Sequence, residues 1–133
     1  MNISPGKILI VHGDKEERGK LAITLNRFGH CLSFSDGLNK PEFSTGEYDL
    51  IIIDEYLDQS AGLIFLQHLS KGNRAKTICL SSGTNKERKD FQDSMEIYEC
   101  IEKPVIPLKL VVVVCDFFIS CYSNEEYMVP FGT

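Results

Sequence analysis

Three side chains able to act on a phosphoryl group stand at the ends of successive apolar runs. Asp54 follows Tyr48-Asp49-Leu50-Ile51-Ile52-Ile53, Ser81 closes Ile78-Cys79-Leu80, and Lys103 follows Cys100-Ile101-Glu102 and precedes Pro104. If each run is a strand of one open α/β sheet, the three groups converge on the edge where such sheets place their chemistry. The carboxylate is a nucleophile, the amine a point charge for a phosphoryl oxygen, and the hydroxyl a hydrogen-bond donor. Taken singly, each has a plainer reading: a loop cap, a surface charge before a turn-forming proline, a loop hydroxyl. Their order and spacing, together with Gly62 eight residues after Asp54, favour a common site.

Positioning these groups requires strands that alternate with helices, and the hydrophobic pattern supplies them. The first strand is Lys7 to Val11, rich in β-branched residues. Glu16 to Phe28 places Leu21, Leu25 and Phe28 on one helical stripe, with Gly29 as its stop. Cys31 to Ser35 is a second short strand, and Pro41 breaks the segment Asp36 to Phe43, leaving a short or irregular helix. Leu50 to Ile53 is continuously apolar, which predicts a central strand covered on both faces. A helix over Ser60 to Ser70 carries Leu63, Leu66 and Leu69 and ends at Gly72-Asn73. Thr77 to Leu80, Lys86 to Met95 and Tyr98 to Ile101 read as strand, polar helix and strand. Residues 106–121 form the last helix, opened by Pro107. Val111 to Val114 has strand propensity, but the alternation and the proline favour a helix. Asn124 to Thr133 reads as a loosely held tail.

At 133 residues the chain is one domain by length, and its 43% hydrophobic and 25% charged content suits a single self-sufficient core. A net charge of -5 argues against nonspecific attraction to nucleic acid or an anionic membrane. Five cysteines, at 31, 79, 100, 115 and 121, show neither a C-x-x-C pair nor zinc spacing and are expected to be buried, reduced thiols of a cytoplasmic protein. No secretory layout opens the chain. The longest apolar stretch, Leu108 to Tyr122, contains Lys109 and Asp116 and is too short to span a bilayer.

Over roughly residues 7 to 120 the chain resembles the receiver domain of two-component response regulators. The matching pieces are Lys7 to Val11, Asp54 with Gly62, Ser81 within Leu80-Ser81-Ser82, and Lys103-Pro104. The resemblance implies a five-stranded parallel sheet of order 2-1-3-4-5 with helices on both faces, with residues 1–122 as receiver and 123–133 as tail. It implies Asp54 as acceptor of a phosphoryl group from a histidine kinase or phosphotransfer protein, Lys103 and Ser81 as its partners, and Mg²⁺ as cofactor. Output would pass through protein contacts to a downstream target, with no nucleic acid or membrane partner. The family's features also place Tyr56 and Gly83 where access of hydrolytic water is tuned, with Tyr56 expected to shield the acyl phosphate.

The chain departs from the family pattern in several places. Receivers place two acids directly after the first strand to hold Mg²⁺, and here His12 and Gly13 stand there. Asp14 is the candidate to join Asp54 as a metal ligand, with Glu16 or Glu55 as substitutes; His12 suits a softer transition metal or is a neutral histidine packed at a strand end. Cys100 replaces the switch aromatic three residues before the lysine, and Tyr98, expected on the same strand face, is its substitute or an ordinary strand aromatic. Asp58 stands in place of the family's proline four residues after the acceptor.

The last helix looks apolar nearly all round. Val111, Val114 and Phe118 are expected to form a patch for a homodimer or partner, or one covered by Tyr127 to Phe131. Three other readings remain open beside the preferred one. A degenerate receiver would act as a phosphate-independent interaction module. A small phosphatase is disfavoured, because no second acid pairs with Asp54. A flavin or nucleotide site is disfavoured, because no glycine-rich cradle follows the first strand.

Overall fold

The computed structural model describes residues 6–35, 47–54 and 61–128, with side chains described except at 61–63 and 122–128. The elements in chain order are β1 (Lys7–Val11), α1 (Lys15–Asn26), β2 (Cys31–Ser35), β3 (Leu50–Asp54), α2 (Ala61–His68), α3 (Lys71–Arg74), β4 (Thr77–Ser81), α4 (Asn85–Met95), β5 (Glu99–Glu102) and α5 (Pro107–Met128). All strand pairs are parallel and the sheet order is β2-β1-β3-β4-β5, as expected. The order reverses between β1 and β3, so the switch point at which open α/β sheets bind their ligands falls beyond the carboxyl ends of those two strands. His12 and Asp54 flank it.

Side chains alternate across the sheet and sort into two cores. On one face Ile8, Ile10, Leu50, Ile52, Ile78, Leu80 and Ile101 pack against Leu21 and Leu25 of α1 and Leu110, Val113, Val114 and Phe117 of α5. On the other, Leu9, Val11, Ile51, Ile53 and Cys79 meet Phe65, Leu66 and Leu69. β3 is buried along its whole length, which is why it reads as an uninterrupted apolar run.

Several boundaries differ from the sequence reading. The α1 stripe holds Leu21 and Leu25, but Phe28 lies past the helix end and is exposed; Gly29 takes the left-handed turn at φ 80°. The helix after β3 stops at His68 rather than Ser70, and a separate turn of helix, α3, follows where Gly72-Asn73 was expected to end it. Ser70 makes that break, its hydroxyl capping α3 through the Asn73 amide. Residues 36–43, expected to hold an irregular helix, lie outside the described residues. Cys79 is buried, but Cys31 and Cys121 are exposed: one opens an edge strand and the other lies on the outer side of α5.

The last helix is a helix despite its four valines, and it runs to Met128, past the expected end at 121. Its faces are distinguished: Val113, Val114 and Phe117 are buried, whereas Leu108, Val112 and Ile119 are exposed. The expected patch is thus corrected, since Val114 belongs to the core and Phe118 packs against it. Tyr127 to Phe131 lie outside the described side chains, so the proposed cover is not addressed.

At the entrance to β1, Gly6 donates its amide to Nδ1 of His30 at 3.2 Å, and the His30 ring stacks on Phe118. A Cβ at Gly6 would meet the Phe118 ring at 2.5 Å, so any other residue there has to displace that ring from its stack on His30. Burial lowers the His30 pKa from its ordinary 6.5. The unfolded chain therefore binds more protons in that window, so stability is complete above the ordinary value and is lost as pH falls through it. The expected outcome is a thermal midpoint that drops between pH 7.5 and 5.5, with a smaller drop in His30→Gln, as read by circular dichroism melts.

Candidate functional site

Asp54 is the last residue of β3 and is 6% exposed, so its carboxylate is held in a mostly dry environment. Lys103 reaches it from beyond β5, placing Nζ 2.6 Å from Oδ1. A buried charge of this kind needs a partner, because the desolvation penalty of an unpaired carboxylate amounts to several kcal/mol. The Lys103–Pro104 peptide is cis, and the Lys103 amide donates to the Ser81 carbonyl at 2.7 Å, which ties the lysine to the end of β4.

The other carboxylate oxygen faces His12. Nε2 of His12 lies 3.6 Å from Oδ2, and the imidazole is 5% exposed. Burial is the largest influence on this ring and lowers its pKa, outweighing the nearby Asp54, which raises it; Lys103 lowers it further. The backbone amide of Asp14 donates to Nδ1 at 3.0 Å, which fixes the tautomer with the proton on Nε2. His12 therefore presents a neutral N–H toward Asp54.

Asp14 does different work from that expected of a metal ligand. Its Oδ1 accepts from the Glu16 and Glu17 amides at 2.9 and 3.3 Å, capping α1. These hydrogen bonds hold its carboxyl below the usual range. Glu55, Tyr56 and Asp58 lie outside the described residues, and Gly62 lies in α2. Among the described residues no group of three or more His, Cys, Asp or Glu is arranged to hold a metal ion. Mg²⁺ takes oxygen ligands in an octahedron, and an imidazole with its proton on Nε2 offers it none. The described donors thus do not fit Mg²⁺.

Ser81 is buried one register step beyond Asp54, which pairs with Leu80. Its Oγ accepts the Gly83 amide at 3.0 Å, closing a turn and leaving the hydroxyl proton to be donated elsewhere. The loop then enters α4 through a capping box between Thr84 and Glu87. Arg88, which the sequence reading did not single out, links this loop to β5. Its guanidinium donates to the Gly83 carbonyl and to Asn85, and lies 3.7 Å from Glu102, the residue before Lys103. No sequence signal marks its role, because the contacts that tie it to the loop and to β5 are with a backbone carbonyl and with a residue in another element.

Tyr98 and Cys100 do not share a face as expected. Tyr98 precedes β5 and packs with the α1/α5 core, edge-on to Phe117, whereas Cys100 packs with the α2 core. Period-two alternation applies only within β5, which begins at Glu99. Gln92 of α4 bridges the two positions, donating to the Tyr98 carbonyl at 3.3 Å and accepting from the Cys100 amide at 3.2 Å. It satisfies backbone groups at and just before β5, which is an edge strand among the described residues.

No family model matches the chain, and no curated protein matches it. Solved structures do. The chain is similar to the chemotaxis response regulator CheY4 of Vibrio cholerae, at 21% identity and TM-score 0.71, covering 86% of this chain and 99% of that one. It is similar to the BeF3-activated N-terminal receiver domain of Klebsiella pneumoniae RstA, at 19% identity and TM-score 0.73, covering 84% and 97%. The signal receiver domain of a putative Luxo repressor protein from Vibrio parahaemolyticus matches at 14% identity and TM-score 0.78, covering 93% and 98%. The chain has the fold of response regulator receiver domains.

Removing Lys103 leaves a buried charge without its nearest cation. Lys103→Met is expected to destabilise the protein by about 2 kcal/mol, and Asp54→Asn to remove most of that loss when combined with it. A double-mutant cycle by urea denaturation measures the coupling.

Proposed function

We propose that this chain is a receiver that accepts a phosphoryl group on Asp54 from a histidine kinase or phosphotransfer protein and signals through protein contacts. The observation that carries the reading is the convergence of Asp54, Lys103 and Ser81 at the switch point of a receiver-type sheet. Residues 1–122 are the receiver and 123–133 its extension. The receiver is a switch in the cytoplasm rather than an enzyme acting on free substrates.

The chemistry follows from the charges. A carboxylate oxygen of Asp54 forms a bond to phosphorus while the bond from phosphorus to the donor nitrogen breaks; the departing imidazole keeps the bonding electrons and takes up a proton. Two anions approach each other in this step, so repulsion dominates the barrier. Lys103 offsets it from 2.6 Å, close enough to turn from the carboxylate to a phosphoryl oxygen as the acyl phosphate forms. Ser81 donates its hydroxyl proton to a second phosphoryl oxygen, drawing the 81–84 loop toward the phosphate. Arg88 transmits that movement, because it grips the loop at Gly83 and lies beside Glu102 on β5.

Partners are bound at the surface carrying α4, β5 and α5, where Leu108, Val112 and Ile119 are exposed along one side of α5. A homodimer through the same helix fits that surface. The test is intact-protein mass after incubation with a small phosphodonor. Wild type is expected to gain one phosphoryl mass and Asp54→Ala none; a folded wild type that gains nothing from several donors would sink the reading.

A further inference from the structure

We propose that His12 takes the place of a divalent cation at this site, closing it to metal and supplying the hydrogen bond that the phosphoryl group needs on that side. This deepens the proposed function and, in its second half, rests on that reading. A cation bound beside Asp54 would occupy the space faced by Oδ2, and that oxygen is faced by His12 Nε2 at 3.6 Å in a pocket where both side chains are nearly buried.

An imidazole can itself bind a metal, but only through a nitrogen that carries a lone pair. At His12 the lone pair is on Nδ1 and is used by the Asp14 amide at 3.0 Å. Turning Nε2 into a ligand would move the proton to Nδ1, where it would meet the Asp14 N–H head-on. Metal-bound histidines have the opposite wiring, with the second nitrogen donating to a carbonyl or carboxylate. The same Asp14 is held at the α1 cap by two further amides, so the carboxylate nearest in sequence is committed as well. The loop after β1 is therefore built to present an N–H, not an oxygen, to the acceptor.

An N–H at that position can hold an anion. In the unmodified protein it faces the carboxylate at 3.6 Å; once Asp54 carries phosphate, a phosphoryl oxygen beside Oδ2, off the line joining the two side chains, becomes the acceptor of that N–H. Lys103 then supplies the positive charge, Ser81 and His12 supply directed hydrogen bonds, and no ion is required. The site accordingly loses the adjustable, exchangeable cation and gains donors fixed by backbone.

Two measurements test this together. The first is Mn²⁺ binding by electron paramagnetic resonance on wild type, Asp54→Ala and His12→Asp, with circular dichroism confirming the fold of each. Wild type is expected to bind no Mn²⁺ at this site and His12→Asp to gain a site; Mn²⁺ binding by wild type that disappears in Asp54→Ala overturns the closure. The second is the rate of phosphoryl mass gain from a small phosphodonor with EDTA or with Mg²⁺. Wild-type rates are expected to agree within about twofold, and His12→Ala to be slower by roughly tenfold or more in EDTA. Mass gain in wild type only with Mg²⁺ overturns the proposal while leaving Asp54 as acceptor. No gain in either condition removes the phosphoryl reading instead, and the Mn²⁺ arm alone then decides whether His12 closes the site to metal.

Discussion

A carboxylate buried at the end of a central strand has to be neutralised, and the Asp54–Lys103 ion pair does this across 2.6 Å. Much of the upper edge of the sheet can be understood as support for that pair. β3 is enclosed on both faces, so Asp54 emerges in an apolar setting where charge is costly to leave alone. Lys103 is fixed by the hydrogen bond from its own amide to the Ser81 carbonyl, and Glu102 beside it is approached by Arg88. The neighbouring strand contributes His12, whose burial keeps it uncharged and so prevents a second cation from competing with the lysine.

Much of this was legible in the sequence. The strand order, the central position of Leu50 to Ile53 and the convergence of Asp54, Ser81 and Lys103 follow from apolar runs and from the residues that close them. What remained hidden depends on backbone groups that sequence patterns do not display. Asp14 could be taken for a ligand until its oxygen was seen to cap α1, and the tautomer of His12 is set by an amide rather than by a side chain. Arg88 and Gln92 look like ordinary polar residues of a surface helix, yet one bolts the β4–α4 loop and the other covers the free edge of β5. Tyr98 and Cys100 were misassigned to one face because the strand starts between them.

The polar contacts around α4 also explain how a helix with no buried residue holds its place. Its own sequence offers little apolar surface, and only Phe91 and Met95 pack against the core from it. The capping box at one end, the left-handed Glu96 at the other, and the Gln92 and Arg88 bridges fix it to β5 and to the loop. The capping-box bonds are exposed and the Gln92 and Arg88 bonds only partly buried, and hydrogen bonds of this kind contribute modestly. α4 is therefore held by contacts that can be remade at small cost, in contrast with the interlocked side chains that seat α5.

The length of α5 has a mechanical consequence. The helix has 22 residues, and its contacts with the β5 side of the sheet include Phe117 edge-on to Tyr98, with Ser120 less than one turn further on. From Ser120 to Met128 the helix continues for about 12 Å at its ordinary rise. That span is a moment arm about the Tyr98 contact: a tilt of about 10° there displaces Met128 by about 2 Å. Any tilt of α5 about that contact is thus multiplied along the part of the helix that runs beyond it.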